Sequence, residues 1–205
     1  TNPTYPEQPI KTIRTQNGMS GSLDICFATS NEGKVQEASE ILGKAGVRLT
    51  HFPFLHRELR SDSLEEIARD AVMEAHRRCE KPVFVEDSGL FIDALRGFPG
   101  TFSGWVQKKI GSAGILKLME DAEDRRAEFV ACIAYHDGKG VSVFTGSCPG
   151  SIAREATGAS GFGYDPIFVP DGHPQTFAEN IQLKNNLSHR YKSLLEFSKS
   201  LASKR

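Results

Sequence analysis

The stretch Leu23-Asp24-Ile25-Cys26-Phe27-Ala28-Thr29-Ser30-Asn31-Glu32-Gly33-Lys34 decides the fold of this chain. Its first half is mostly apolar and predicts a short strand, and its second half is polar and predicts a loop. Beyond the loop, apolar residues recur at spacings of three and four, which predicts a helix with one apolar face; they are Val35, Ala38, Ile41, Leu42 and Ala45. Gly46 stands where that helix should end.

The loop between this strand and this helix is suited to bind phosphate. Backbone N–H groups and the positive end of the dipole meet at a helix N-terminus, and both attract anions. Lys34 adds a positive charge in the first turn. The residues expected to contact phosphates are Thr29, Ser30, Asn31, Glu32, Gly33 and Lys34. The spacing is not that of a P-loop, and an ordinary N-cap followed by a solvated lysine is the alternative interpretation.

Strands and helices continue to alternate after the first helix. Residues 47–52 predict a second strand, and residues 53–62 predict a charged loop. Ser63-Leu64-Glu65-Glu66 matches a capping box and predicts a second helix, whose inward residues are Ile67, Ala71 and Ala75. Pro82 ends that helix before a strand over 83–86.

The second half of the chain predicts two further helices and a hairpin. A helix around Lys108 to Glu120 would carry Ile110, Ile115, Leu116 and Met119 inward. Residues 129–135 and 141–148 predict neighbouring strands joined at Asp137-Gly138. A last helix should run from about Ser188 to Leu201. We therefore expect an α/β fold with a mixed central β-sheet flanked by helices.

Composition restricts the class of protein. The 205 residues are 39% hydrophobic and 25% charged with a formal net charge of -1, so a DNA-coating protein is disfavoured. The four cysteines are scattered, which is typical of reduced, buried thiols. No apolar run approaches a membrane span or a signal peptide. We expect a cytoplasmic, soluble protein in which residues 1–22 form a flexible leader or extension before one domain over 23–205.

A pair of carboxylates stands at the end of the strand over 83–86. Glu86 is the last residue of that strand, and Asp87, Ser88 and Gly89 form an expected loop at the edge of the sheet where α/β proteins bind ligands. Asp87 has the chemistry to hold Mg²⁺ or to accept a proton from an attacking water. A turn capped locally by Asp and Ser is the alternative.

Aromatic and basic residues toward the C-terminus complete the candidate site. Phe162 and Tyr164, in the segment Phe162-Gly163-Tyr164-Asp165, offer rings on which a base can stack, and Asp165 can accept hydrogen bonds from ring N–H groups; aromatic core packing is the alternative. Lys184, His189 and Arg190 place basic groups before and within the start of the last helix. Cations are unfavourable at a helix N-terminus, which points to a functional reason.

The chain resembles the inosine triphosphate pyrophosphatase family, whose members remove ITP, dITP and XTP from the nucleotide pool. The similarity covers residues 23–203 and rests on TSNEGK (29–34), VEDSGL (85–90), GFPGTFS (97–103), GFGYDP (161–166), FAE (177–179) and KNNLSHR (184–190). It implies a two-lobed single domain with a substrate cleft, a magnesium-dependent pyrophosphatase activity and a homodimer. From the net charge and the lack of a long apolar run we also expect no stable nucleic-acid binding and no membrane association.

The resemblance assigns roles to particular residues. Thr29, Asn31 and Lys34 would hold the phosphates; Asp87, assisted by Lys34, would be catalytic; and Glu58 would join Asp87 as a metal ligand. Ser88 would touch the substrate, Phe162 to Asp165 would hold the base, and Lys184, His189 and Arg190 would complete the pocket. Two positions depart from the family pattern: Ser30 replaces a glycine, and Arg60 replaces a common glutamine.

Base preference follows from hydrogen-bond donors that face the carbonyl oxygen of hypoxanthine or xanthine, because adenine would leave such donors unpaired. Three alternatives stay open at this point. They are a pyrophosphatase for other modified nucleotides, a nucleotide sensor without turnover, and a nucleic-acid-binding module.

Overall fold

The computed structural model describes residues 11–12, 23–56 and 59–203, which form eight strands and five α-helices. The strands are β1 (Lys11–Thr12), β2 (Leu23–Ala28), β3 (Val47–Phe52), β4 (Val83–Ile92), β5 (Pro99–Gly100), β6 (Arg126–His136), β7 (Val141–Ile152) and β8 (Phe168–Pro170). The helices are α1 (Glu32–Lys44), α2 (Leu64–Cys79), α3 (Ser103–Leu118), α4 (Ile181–Leu187) and α5 (His189–Ser203).

The strands form one mixed sheet in the order β1-β3-β2-β4-β6-β7-β8, with β5 paired to β4. β2 runs parallel to β3 and β4, and the other neighbours are antiparallel. The predicted mixed sheet is confirmed. Because β2 and β4 are parallel neighbours, the residues that follow β2 lie beside the second half of β4.

The helices cover both faces of the sheet. α1 and α5 pack on one face, where the rings of Phe27 and Phe84 are stacked with centroids 4.2 Å apart. α2 packs on the opposite face against Val83 and Val85. α3 packs on a third cluster beyond the second half of β4, which includes Tyr164. The strand over 23–28 and the α1 core residues Val35, Ala38 and Leu42 are confirmed, whereas Ala45 lies past the helix end and is exposed.

Helix α2 begins where its sequence predicts, with a modified cap. The Ser63 hydroxyl accepts a hydrogen bond from the Glu66 amide at 3.3 Å. The Glu66 carboxylate does not return to the Ser63 amide. It accepts from the Ser61 hydroxyl at 2.6 Å, and that hydroxyl accepts from the Ser63 amide at 3.0 Å. Ser61 therefore bridges the Glu66 carboxylate and the Ser63 amide, which contact each other directly in an ordinary capping box.

The expected position of α3 was wrong at its start. The helix begins at Ser103, five residues before the expected Lys108, and it is kinked at Gly111, where φ is 63° and ψ is -168°. The kink breaks the 3.6-residue period, so spacings counted across it refer to two different faces. Ile110, expected inward, is 44% exposed, while Ile115 and Met119 are fully buried as expected.

The last helix is preceded by one that was not expected. α4 is capped by the Asn180 side chain, which accepts from the Leu183 amide at 3.0 Å. Ser188, with extended backbone at ψ 159°, separates α4 from α5. Seven residues are too few for a periodic apolar signal. Of the expected leader, Lys11–Thr12 pairs with β3, and the remainder lies outside the described residues. None of the helices in the described ranges is long and apolar enough to cross a membrane.

Candidate active site

A cleft of about 1250 Å³ opens where β2 ends beside β4. Every predicted site residue that the structure describes lines it: Thr29, Ser30, Asn31, Glu32, Gly33, Lys34, Asp87, Ser88, Phe162, Gly163, Tyr164, Asp165, Lys184, His189 and Arg190. Glu58, the predicted second metal ligand, lies outside the described residues. The fold thus brings together four segments that are far apart in the sequence.

The loop after β2 forms a helix N-terminus that faces the cleft. The Asn31 side chain caps α1 by accepting from the Lys34 amide at 3.2 Å, and the Thr29 hydroxyl accepts from the Asn31 amide at 3.2 Å. In the described part of the chain, no acceptor contacts the amides of Glu32 and Gly33. Those two N–H groups and the helix dipole are available to an anion in the cleft.

Glu86 and Asp87 point in different directions. The expected loop over 87–89 is wrong, because β4 continues to Ile92 and pairs with β6 along its whole length. Successive side chains of a strand point to opposite faces of a sheet. Glu86 therefore shares the face of Phe84, toward α1 and α5, and Asp87 shares the face of Val85, toward α2. The two adjacent carboxylates are in two different environments.

Glu86 contacts two of the predicted basic residues. Its Oε2 lies 2.8 Å from Lys34 Nζ, and its backbone carbonyl accepts a hydrogen bond from the same ammonium at 2.9 Å. Its Oε1 lies 3.2 Å from Arg190 Nε. The carboxylate is 1% exposed. Glu86 stands beside Asp87 in the sequence but was not predicted as a site residue.

Glu37 was not predicted from the sequence, although it contacts two of the predicted basic residues. Its two carboxylate oxygens contact Lys184 Nζ at 2.8 Å and Arg190 Nη1 at 2.7 Å. Lys184 also contacts Asp165 at 2.7 Å. The available signal was spacing: Glu37 stands three residues after Lys34, on the same side of α1.

These contacts form one chain of alternating charges through the protein: Lys34, Glu86, Arg190, Glu37, Lys184 and Asp165. The acidic partners explain how Lys184 and Arg190 tolerate burial, with side chains 1% and 4% exposed. They also offset the unfavourable position of Arg190 in the first turn of α5.

The buried charges shift the acidity of the carboxyl groups. Burial raises the pKa of Glu86, but the charges of Arg190 and Lys34 outweigh burial and lower that pKa to about 2. At Glu37 burial likewise raises the pKa, and Arg190 and Lys184 outweigh it, so the net shift is downward. At Asp165 burial prevails, and the pKa is raised although Lys184 opposes it.

The aromatic segment contributes one accessible ring and one core ring. Phe162 is half-buried and packs on α1, where a Cβ on Gly33 would lie 3.0 Å from its ring, and Lys184 Nζ lies 4.1 Å from its centroid. Tyr164 is buried in the core below α3 and donates a hydrogen bond to the Ser103 carbonyl at 3.2 Å. Aromatic core packing, the alternative interpretation of this segment, therefore describes Tyr164 better than stacking on a base does.

Asp165 holds this segment in shape. Its Oδ2 accepts hydrogen bonds from the Phe162 amide and from Lys184 Nζ, both at 2.7 Å. At least one of its oxygens is thus engaged by the protein itself.

His189 is a buried histidine at the start of α5. Burial, followed by the charge of Arg190, places its pKa well below the ordinary 6.5. Its ring stacks on Phe129 with centroids 4.6 Å apart, and its Nδ1 has no hydrogen-bond partner among the described residues. The start of α5 lies directly against β7 at Gly146, where a Cβ would collide with the backbone of His189 and Ser193. That contact fixes His189 and Arg190 relative to the sheet.

Asp87 is the predicted metal ligand that the structure describes. Asp87 lines the cleft, is half-buried, and accepts at Oδ1 from the Ser88 amide at 3.0 Å. Within the described ranges no three His, Cys, Asp or Glu side chains form a closed metal cage. An open site with one or two carboxylates is what Mg²⁺ uses when the substrate supplies phosphate oxygens.

The fold and the cleft together define an α/β protein that can accommodate an anion at a helix N-terminus and a flat ring beside buried cations. The chain belongs to the Ham1 family, whose family model matches residues 25–200. A dITP/XTP pyrophosphatase of Thermococcus kodakarensis is 44% identical over 176 residues, which are 85% of this chain and 95% of that protein. Another of Methanopyrus kandleri is 48% identical over 177 residues, covering 85% and 94%.

Solved structures agree with this assignment. The Ham1 protein of Staphylococcus aureus has a TM-score of 0.78 and 28% identity, and the match covers 89% of this chain and all of that chain. A HAM1 protein from Coxiella burnetii also has a TM-score of 0.78, with 31% identity and coverage of 88% and 99%.

Proposed function

We propose that this protein hydrolyses nonstandard purine nucleoside triphosphates, namely ITP, dITP and XTP, to the monophosphate and pyrophosphate. The observation that carries the proposal is the juxtaposition, in one cleft, of an anion-binding helix N-terminus with Lys34 and a half-buried ring beside Lys184 and Arg190. Relatives named dITP/XTP pyrophosphatase, at 44% and 48% identity, support it. Removing these nucleotides keeps them out of DNA and RNA.

The triphosphate lies along the start of α1 in this proposal. The free amides of Glu32 and Gly33 and the Lys34 ammonium bind phosphate oxygens and stabilise the charge that develops on the departing pyrophosphate. Thr29 and Asn31 hold the loop in shape through their hydrogen bonds. The Asp87 side chain, which points to the opposite face of the sheet from Glu86, accepts the proton of the water that attacks the α-phosphorus.

We propose Mg²⁺ as the cofactor, with Asp87 and Glu58 as the residues that hold it. A bound Mg²⁺ would supply neutralisation of the phosphate charge and polarisation of the phosphoryl oxygens. The assignment of Glu58 as a metal ligand rests on the resemblance to the inosine triphosphate pyrophosphatase family.

The base lies on the exposed face of Phe162 in this proposal, because Lys184 and α1 contact that ring. Arg190 has five N–H donors, and three of them face Glu37, Glu86 and Ser88. In this proposal the remaining donors bind the purine carbonyl oxygen. Adenine, which presents an amine at that position, would leave them unpaired.

The test measures pyrophosphate release from ITP, XTP, GTP and ATP, with Mg²⁺ and with a chelator. We expect metal-dependent release from ITP and XTP, little from GTP or ATP, and a loss of at least about 100-fold in kcat for Asp87→Asn. Asp70→Asn, at an exposed position of α2, is the matched control. Near-full turnover by Asp87→Asn would exclude its assigned role, and ITP binding without release by the unmodified protein would favour a sensor.

Two further properties belong to the same proposal. We propose a homodimer, which sedimentation analysis of the purified protein can test, and a cytoplasmic location, which fits an enzyme of the nucleotide pool.

A further inference from the structure

Lys34 contacts both the backbone and the side chain of Glu86. Its ammonium donates a hydrogen bond to the Glu86 backbone carbonyl at 2.9 Å. It also forms an ion pair with Glu86 Oε2 at 2.8 Å, although that oxygen accepts no hydrogen bond among the described residues. The side chain is 16% exposed and lines the cleft. A single residue therefore positions the Lys34 ammonium through one backbone hydrogen bond and one ion pair.

Arg190 is held by the same carboxylate. Its Nε lies 3.2 Å from Glu86 Oε1, while Nη1 donates to Glu37 at 2.7 Å and Nη2 to Ser88 at 3.2 Å. Glu86 thus contacts Lys34, the proposed phosphate ligand, with one carboxylate oxygen and Arg190, the proposed base ligand, with the other. Glu37 differs, since it contacts Arg190 and Lys184 but not Lys34.

The position of Glu86 is determined by the sheet. Glu86 lies within β4, whose backbone pairs with β6 at Ile133, and its side chain is 1% exposed. Its orientation is therefore set by the sheet and not by solvent. Lys34 and Arg190, in contrast, reach it along flexible side chains from two different helices.

We propose that Glu86 is a positioning residue that aims Lys34 at the phosphates and Arg190 at the base of the same nucleotide. The inference rests on the proposed function and adds to it a residue that touches neither ligand end directly. A carboxylate that only neutralised buried charge would lower stability when replaced, and its loss would leave anion binding unchanged or strengthen it, because the site becomes more positive. A positioning carboxylate also affects phosphate affinity and base selection, and it does so at both ends of the cleft.

The experiment separates the two ends with two variants. Binding of inorganic tripolyphosphate, measured by calorimetry in magnesium buffer, reports on Lys34 without a base and without turnover. The ratio of kcat/KM for ITP to that for ATP reports on Arg190. The variants are Glu86→Gln and the matched Glu37→Gln, both assayed below their melting temperatures.

We expect Glu86→Gln to raise the Kd for tripolyphosphate about tenfold, as when one charge-assisted hydrogen bond is misaligned. The same variant should lower the ratio of kcat/KM for ITP to kcat/KM for ATP. Glu37→Gln should narrow that ratio but leave the tripolyphosphate Kd within about twofold, because Glu37 has no contact with Lys34. If Glu86→Gln does not fold, Glu86→Asp carries the same test, since it keeps the charge but shortens the arm by about 1.5 Å.

The inference is overturned if tripolyphosphate binds the Glu86 variant as tightly as the unmodified protein or more tightly, if it does not bind the unmodified protein, or if the Glu86 variant keeps the ITP-to-ATP ratio. Failure of the proposed function is a separate result. It would appear as no pyrophosphate release from any nucleotide by the unmodified protein, while the calorimetric comparison still decides the phosphate half of the role of Glu86.

Discussion

The contact between β7 and the start of α5 gives a prediction that needs no change in a site residue. A methyl group at position 146 would lie 2.9 Å from the Cβ of Lys192, and it would collide with the carbonyl oxygen of His189 and the amide of Ser193. Ordinary contact begins at 3.4 Å, so even the Lys192 contact must lengthen by 0.5 Å (3.4 minus 2.9). The backbone contacts require a displacement of about 1 Å.

Gly146→Ala should therefore reduce both stability and activity. Overpacking of this kind costs about 1–3 kcal/mol in the free energy of unfolding, which lowers Tm by about 2–12 °C for a chain of this size. His189 and Arg190 are the first two residues of α5. A displacement of about 1 Å at a catalytic site can reduce the rate about 100-fold, so kcat/KM for ITP should fall by about 10- to 100-fold.

The assays are thermal unfolding and steady-state pyrophosphate release from ITP, with Gly140→Ala as the control. Gly140 lies in the turn between β6 and β7, and a Cβ there meets no atom within 4 Å. The control should match the unmodified protein in both measurements. If Gly146→Ala matches it too, α5 is not held against β7 as described, and the explanation for the placement of His189 and Arg190 fails.

Three other predictions concern single interactions. Burial and Arg190 keep the pKa of His189 well below 6.5, so only the unfolded chain binds a proton at this imidazole as the pH falls below 6.5. The free energy of unfolding should therefore drop by up to about 1.4 kcal/mol per pH unit. Denaturant titrations from pH 7.5 to 5.5 should show a shallower pH dependence for His189→Gln. Tyr164→Phe removes the buried hydrogen bond to the Ser103 carbonyl and should cost about 1 kcal/mol, seen as a Tm lower by about 2–4 °C; an unchanged Tm would argue against that bond. Ser63→Ala removes the cap of α2 and should also cost about 1 kcal/mol, with Ser63→Thr retaining most of the stability in the same melt.

The ion pairs explain why part of the site was not visible in the sequence. Glu37 and Arg190 are 153 positions apart, and Lys34 and Glu86 are 52 positions apart. No local pattern connects such residues. Lys184 and Arg190 were predicted as site residues, but their acidic partners became apparent only when α1, β4 and α5 were placed together.

Local interactions were sufficient for much of the fold. β2, β3 and the start of α2 lie where the sequence predicts, because strand alternation and N-cap hydrogen bonds involve neighbours within a few residues. The hairpin of β6 and β7 was predicted from its Asp137-Gly138 turn, although both strands are longer than expected. The segment through Lys34 likewise identified a helix N-terminus at the cleft, since the strand, loop and helix signals are all local.

Tertiary structure alone decided the features that combine distant segments or break a period. Pairing with β6 extended β4 through Asp87, and strand geometry then turned Glu86 and Asp87 to opposite faces. The kink at Gly111 exposed Ile110, and packing below α3 buried most of Tyr164. The sequence by itself determined which residue types enter the cleft and where the first helix begins, because those depend on covalent neighbours. Which charge faces which was decided by packing, because a buried ion needs a counter-ion from whatever element the fold brings within about 3 Å.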